Sequence, residues 1–185
     1  MKHQFQVNKI LIPIDFSKTS KLALEHAAHL CKVFNSELHL LHIYKTSTID
    51  VLPNLTATSA SLPDYDSLRE MVTEELNEVG KKFSEKHNVG YNIEVKEGSV
   101  SKGIISSAKD SGADLIVMGT HGVSGFEEFF LGSNAYRVVT SSVIPVLTVQ
   151  EISFCLLTAH NTQETKFLRW LPLLKNLAVK CTSLS

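Results

Sequence analysis

Asp114-Leu-Ile-Val-Met-Gly119-Thr-His-Gly122, followed after nine residues by Gly132-Ser133-Asn134, is the stretch that decides the fold of this chain. Leu115 to Met118 is short and wholly apolar, the pattern of a strand buried on both faces. The glycines begin where that strand ends. Gly132-Ser133-Asn134 then opens a second periodic segment, Ala135-Tyr-Arg-Val-Val-Thr140, which reads as a helix start with hydroxyl and amide side chains able to cap it. A strand, a glycine-bearing loop and a helix N-terminus make an anion cradle, because the first four amides of a helix lack internal partners and carry the positive end of its dipole. Glycine lets the backbone approach a polyphosphate closely, and a side chain at 119, 122 or 132 would block that approach. The same spacing also suits a plain β-to-α turn that needs glycine only for its geometry.

Outward from this stretch the hydrophobic period alternates between strand and helix. Ile10 to Ile14 reads as a strand, Thr19 to Phe34 carries Leu22, Ala23, His26, Ala27 and Leu30 at helical spacing, and Glu37 to Tyr44 returns to a strand. A polar connection from Lys45 to Pro63, broken by Pro53 and Pro63, leads to a long helix from Asp64 to His87 whose acidic start suits its dipole. Asn92 to Lys96 is a third strand, Ser101 to Ser111 a helix ended by Gly112, and Leu115 to Gly119 and Pro145 to Val149 the fourth and fifth strands. This order predicts an α/β fold, a doubly wound five-stranded parallel sheet with helices on both faces. Such sheets bind ligands beyond the carboxyl ends of their strands. Asp15, Ile43 and Gly119 each lie at or near such an end.

Composition narrows the classes of function. A chain of 185 residues with 43% hydrophobic content can bury a core without metal or disulfide staples. A net charge of −1 supplies no electrostatic case for nucleic acid or an acidic membrane surface. No apolar run reaches the roughly 20 residues a membrane span needs, and Met-Lys-His-Gln-Phe-Gln-Val-Asn8 lacks the apolar core of a signal peptide. Cys31, Cys155 and Cys181 are widely spaced and odd in number, which favours reduced thiols in a cytoplasm.

The pattern Gly-x2-Gly-x9-Gly-Ser, set between Leu-Ile-Val-Met118 and Ile144-Pro-Val-Leu-Thr-Val149, closely resembles the universal stress protein family in its nucleotide-binding branch. Lys9-Ile-Leu-Ile-Pro13-Ile-Asp15-Phe-Ser17 resembles the same family's first strand and its terminal aspartate, so the resemblance runs over residues 7 to 150. It implies a Rossmann-like domain over residues 1–150 that binds ATP and acts in the cytoplasm as a dimeric, nucleotide-dependent regulator of the stress response. By the same resemblance, Pro13 and Asp15 end the first strand near the adenine and Ile43 lines the base pocket. Met118, Gly119, His121 and Gly122 match positions that contact ribose and phosphates, and Gly132, Ser133 and Asn134 match the phosphate end. From the residues alone, Asp15 can equally cap the helix beginning near Ser17, and Ile43 can be ordinary core.

One departure bears on affinity. ATP-binding relatives commonly carry basic residues in the nine-residue segment, whereas Val123 to Leu131 has none and adds Glu127 and Glu128. Facing the phosphates, these carboxylates would weaken binding; facing solvent, they would be screened over about 8–10 Å. Phe126, Phe129, Phe130 and Leu131 read as a hydrophobic anchor for the loop.

Neither a metal centre nor a catalytic site emerges. His26 and His29 share a helix face, but His39 and His42 are spaced to point to opposite faces of a strand, and no Cys joins them at ligand spacing. The chain has no Gly-x4-Gly-Lys-Ser/Thr loop and no nucleophile elbow. Mg²⁺, where present, would be held mainly by the nucleotide, and binding without useful turnover, or at most a slow ATPase, is the expectation.

Two further expectations concern the C-terminal part. Val143 to Val149 is a flat apolar strand that the resemblance places at the sheet edge, where it pairs with its counterpart in a homodimer; the alternative is a strand covered by the chain's own tail. Residues 151–185 depart from the family, with an apolar helical stripe from Phe167 to Ala178 interrupted by Pro172. Asn161-Thr-Gln-Glu-Thr-Lys166 resembles Phe16-Ser-Lys-Thr-Ser-Lys21, and Phe167 to Ser185, read one base out of frame with compatible codons, resembles Phe34-Asn-Ser-Glu-Leu-His-Leu-Leu41 and the helix before it. This points to a second, tandem copy of the domain, begun near Glu151 and cut off by a frameshift. Two classes of function stay open: an ATP-binding switch, and a nucleotide-independent interaction module that kept the fold and lost the ligand.

Overall fold

Five segments form parallel strands in the structure, a computed structural model that describes residues 6–45, 65–120, 131–149 and 154–157. They are β1 (Lys9–Pro13), β2 (Glu37–Tyr44), β3 (Tyr91–Glu97), β4 (Leu115–Gly119) and β5 (Val146–Val149). Between them run α1 (Lys18–Phe34), α2 (Tyr65–His87), α3 (Val100–Asp110) and α4 (Ser133–Ser141). The sheet order is β3-β2-β1-β4-β5, continued at the β5 edge by a sixth strand, β6 (Phe154–Leu157). The chain winds outward from β1 to β3 and then returns to β1's other side with β4, so the switch point lies between β1 and β4.

Alternation along each strand divides the core in two. Ile10, Ile12, Leu38, Leu40 and Val117 pack under α1 and α2, against Ala23, Ala27, Leu30, Leu76 and Phe83. Leu11, Leu41, Ile116 and Met118 point the other way, against Ile104 and Ala108 of α3 and Ala135 and Val138 of α4. A central strand with both faces covered has no place for a polar side chain, which is why β4 reads Leu-Ile-Val-Met. At its entrance Asp114 Oδ2 accepts the Asn8 and Lys9 amides at 2.7 and 3.1 Å, tying the starts of β4 and β1 together. Helix α1 begins at the N-cap Ser17, whose hydroxyl accepts the Ser20 amide at 3.2 Å, and ends at Asn35 in the left-handed region, φ 57°.

The parallel five-stranded sheet matches the expectation; the sixth strand realises the stated alternative, an outer strand covered by the chain's own tail. Strand β6 pairs antiparallel with β5, from Val146↔Leu157 to Val149↔Phe154. The open edge expected at Val143 to Val149 is therefore corrected in two respects. Residues 143 to 145 precede the strand in a turn, where Ser142 Oγ accepts the Ile144 amide at 3.0 Å and donates to the Ile144 carbonyl at 2.8 Å, leaving Val143 exposed. From Val146 onward the outer edge of β5 already has its ladder partner in β6. A four-residue strand of Val, Leu, Thr and Val carries no charge or proline to discourage pairing, so a neighbouring segment of the same chain satisfies its free amides and carbonyls.

Candidate functional site

The carboxyl ends of β1, β2 and β4 and the start of α4 enclose a cavity of about 340 Å³, at the lower end of the range for small-molecule sites. Pro13, Asp15, Ile43, Met118, Gly119, Gly132, Ser133 and Asn134 all line it. His121 and Gly122 lie outside the described residues.

One end is apolar. Leu41 and Ile43 of β2, Val100 and Ile104 of α3, and Met118 of β4 face one another there. Gly103 makes this end possible: a Cβ at 103 would stand 2.6 Å from Ile43 Cδ1, so the glycine lets α3 lie close enough to Ile43 to close the cavity. Val100, Gly103 and Ile104 are site residues that sequence reasoning missed; the available signal was the apolar i, i+4 pair at the start of a helix that follows a strand end.

The other end is built of backbone. Thr120 N–H donates to the Val149 carbonyl at 3.0 Å, extending β4 beside β5, and Gly132 N–H donates to the Thr120 carbonyl at 2.8 Å. The two ends of the glycine-bearing segment are thus clamped together at the cavity's rim. Helix α4 starts immediately after, its first internal bond running from Tyr136 N–H to the Gly132 carbonyl at 2.8 Å. This corrects the expected cap: the N-cap is Gly132, no side chain among the described residues caps the helix, and Ser133 and Asn134 sit within its first turn. Gly132's own amide is used by Thr120, so the amides of Ser133, Asn134 and Ala135 are the helix-start donors left beside the cavity.

Gly119 is required for a reason other than the expected one. A Cβ there would lie 2.9 Å from Thr19 Cβ and 3.0 Å from the Thr19 carbonyl carbon. What the glycine admits at this position is α1 against β4, the close helix-to-strand approach of nucleotide-binding α/β folds.

Asp15 lines the cavity, but the cap that the sequence allowed it belongs to Ser17, the N-cap of α1. Its Oδ1 accepts the Ser17 amide at 3.1 Å and the Ser17 hydroxyl in a short bond, steadying the residue that caps the helix. Ser17 Oγ also meets Thr19 Oγ1 at 3.0 Å, which links Asp15 to the residue packed on Gly119. Between Asp15 and Ser17, Phe16 has φ 62°, a conformation that costs a bulky residue on the order of 1–3 kcal/mol. Its ring stacks on His42, centroids 4.9 Å apart and planes 30° apart. His42 Nδ1 lies 2.7 Å from the Ile14 carbonyl; a carbonyl only accepts, so Nδ1 carries the hydrogen. Burial pushes the His42 imidazole below its ordinary value, against the opposing pull of the Ile14 bond and of the Asp15 and Glu75 carboxylates.

Among the described residues, neither the other histidines nor the buried thiol lines the cavity. His39 pairs with Glu94 at 2.8 Å and His87 with Glu25 at 3.2 Å. Among the described residues no group of three His, Cys, Asp or Glu side chains is placed to hold a metal ion, and no helix is long and apolar enough to cross a membrane. Burial raises the Cys31 thiol to about 12, too high for a reactive thiolate.

Comparison with known proteins accords with this architecture. The model of the Universal stress protein family matches residues 6–150. Universal stress protein MJ0531 of Methanocaldococcus jannaschii is 36% identical over 143 residues, covering 77% of this chain and 82% of that protein. Universal stress protein MJ0577 of the same organism is 31% identical over 152 residues, covering 77% and 94%. The solved structure of MJ0577 superposes with a TM-score of 0.63 at 26% identity, covering 86% of this chain and all of that one. A universal stress protein solved in complex with cAMP shares the fold, with a TM-score of 0.53 at 20% identity over 79% of this chain and 98% of that one.

Proposed function

This chain belongs to the universal stress protein family, and from that premise we propose that it is a stress-response regulator that binds ATP in the cavity between β1, β4 and α4. The observation that carries the reading is the start of α4: three amides face a cavity rim, with no side-chain cap among the described residues to occupy them. A phosphate supplies acceptors for those donors and a negative charge for the dipole behind them. At the far end, Leu41, Ile43, Val100, Ile104 and Met118 offer apolar surface for a purine, and Asp15 lines the same cavity.

In this reading Pro13, Asp15, Ile43 and Met118 hold the nucleoside, while Gly119, His121, Gly122, Gly132, Ser133 and Asn134 form the phosphate end. Mg²⁺ comes with the nucleotide and offsets part of its charge. The protein works in the cytoplasm as a binding switch, with no catalytic residue assigned and at most slow hydrolysis. It pairs with a second copy through β5, which requires β6 to leave that edge. Residues 151–185 are the frameshifted start of a second domain copy, and resequencing the gene tests this: a next frame without the remaining strands and a second glycine motif removes the idea.

A second reading has one observation in its favour. Asp15 is the only charged side chain among the described residues lining the cavity, and residues 119–134 contain no Lys or Arg. A nucleotide-independent interaction module needs no cation there. Titration with ATP, ADP, AMP and cAMP, each with and without Mg²⁺, separates the two. At 100-fold excess over the dissociation constant, linkage gives about 2.7 kcal/mol of added stability, and no shift with any of them favours the module.

A further inference from the structure

We propose that His42, which does not line the cavity, is the positioning residue that sets Asp15 for its ligand, by holding Ile14 and Phe16 in the turn between β1 and α1. The proposal rests on the nucleotide-binding reading for its ligand but not for its mechanism. Along β2, His42 and Ile43 point to opposite faces of the sheet, Ile43 into the cavity and His42 toward the side of α1 and α2. From that side His42 makes two contacts with the turn. Nδ1–H donates to the Ile14 carbonyl at 2.7 Å, and the ring stacks on Phe16.

Those contacts bracket Asp15. β1 has left its ladder with β2 by this point, the Ile14 amide to the Leu41 carbonyl at 2.8 Å being the last backbone bond between them, so the Ile14 carbonyl turns to a side chain. Phe16, held at φ 62°, reverses the chain so that Asp15 Oδ1 meets the Ser17 amide and hydroxyl. A phenylalanine left to itself leaves that conformation. Releasing Phe16 or Ile14 therefore frees the backbone on both sides of Asp15 and lets its carboxylate swing from the cavity wall.

The test compares His42→Phe, which keeps a ring for Phe16 but lacks the donor, with His42→Asn, whose amide can donate from near the position of Nδ1. The first readout is the Ser17 amide resonance and its hydrogen exchange in the ligand-free protein. In His42→Phe this resonance shifts and exchange quickens by about five- to tenfold, the loss of one hydrogen bond's worth of order; His42→Asn, which regains the donor but not the ring, restores part of both. The second readout is ATP affinity by calorimetry, expected to fall about five- to tenfold in His42→Phe, to recover in part in His42→Asn, and to fall no further when His42→Phe is added to Asp15→Ala. A folded His42→Phe protein with an unchanged Ser17 amide overturns the proposal, as does an additive loss of affinity in the double variant. Should His42→Phe fail to fold, Phe16→Leu, which keeps the Ile14 bond and removes the stacked ring, is expected to quicken Ser17 exchange, and unchanged exchange there overturns it equally. If the parent protein binds no nucleotide, the ATP-binding reading fails while the Ser17 amide still decides the positioning role.

Discussion

Replacing Gly119 by alanine tests whether the meeting of β4 and α1 is as tight as the structure has it. The new methyl group would stand 2.9 Å from Thr19 Cβ and 3.0 Å from both its carbonyl carbon and its Oγ1. Two of those three atoms cannot turn aside, since one is backbone and the other is anchored to it. Overpacking of this kind costs about 1–3 kcal/mol, and the stiffer unfolded chain returns about 0.4–1 kcal/mol. The balance is a net loss of roughly 1–2 kcal/mol, or a fall in Tm of about 2–8 °C for a domain of this size. Gly90→Ala is the control, because nothing lies within 4 Å of a Cβ there; it should be neutral or slightly stabilising. Urea unfolding of both variants measures the difference. Because Thr19 shares the Ser17 hydroxyl with Asp15, nucleotide affinity should fall in Gly119→Ala as well. A Gly119→Ala protein as stable as its Gly90→Ala counterpart would refute the close-packing explanation.

Acid should destabilise the fold in two stages. Burial lowers the pKa of His42 and His26 below the ordinary 6.5, so the unfolded chain takes up protons first; this contribution is complete above about pH 6.5 and is lost as pH falls through that value toward the folded-state pKa. Burial works against ionisation of Glu94, but hydrogen bonds from His39 and Lys96 outweigh it and lower its pKa, so a second loss follows below about 4.5; urea midpoints from about pH 8 down to about pH 3 would show both, and a flat profile would contradict them. Gly103→Ala forces the Ile43 tip into the cavity; the tip is flexible, so stability should change by less than about 1 kcal/mol while affinity for adenine nucleotides falls, read by a thermal melt and calorimetry on one sample. Ending the chain at Gln150 removes β6 and uncovers β5, and light scattering should then report a larger share of dimer than in the full chain; an unchanged mass would leave the β5 edge without a role in assembly.

The sheet was legible because its signals are local and redundant. Leu-Ile-Val-Met118 has the composition only a doubly covered strand tolerates, and the helix of Leu22, Ala23, Ala27 and Leu30 turns its buried stripe at the period the residues show. Helix and strand ends fell within a residue or two of Tyr65, Tyr91, Val100 and Val146. What escaped depends on distant contacts. A positive φ at Phe16 cannot be read from a residue type that avoids it, and is visible only with His42 beside it. Gly119 looked like room for a ligand, and the neighbour that explains it, Thr19, is a hundred residues away in the chain. Asn134 and Ser133 looked like caps because their types favour that role, yet Gly132 holds the position once its amide is drawn to Thr120. Strand β6 was passed over since four apolar residues fit a strand or a helix equally until β5 offers an edge.

The central claim is that main-chain donors at the start of α4 hold a phosphate, and Ser133→Pro tests it most directly. Proline is tolerated at the first helical position, where no internal hydrogen bond is lost, so the helix remains while one donor disappears. Calorimetry with ATP and Mg²⁺ on the two folded proteins should show binding to the parent and a loss of about ten- to hundredfold in the variant, the worth of one hydrogen bond to a charged acceptor. Equal affinity in parent and variant, with both folded, would contradict the claim.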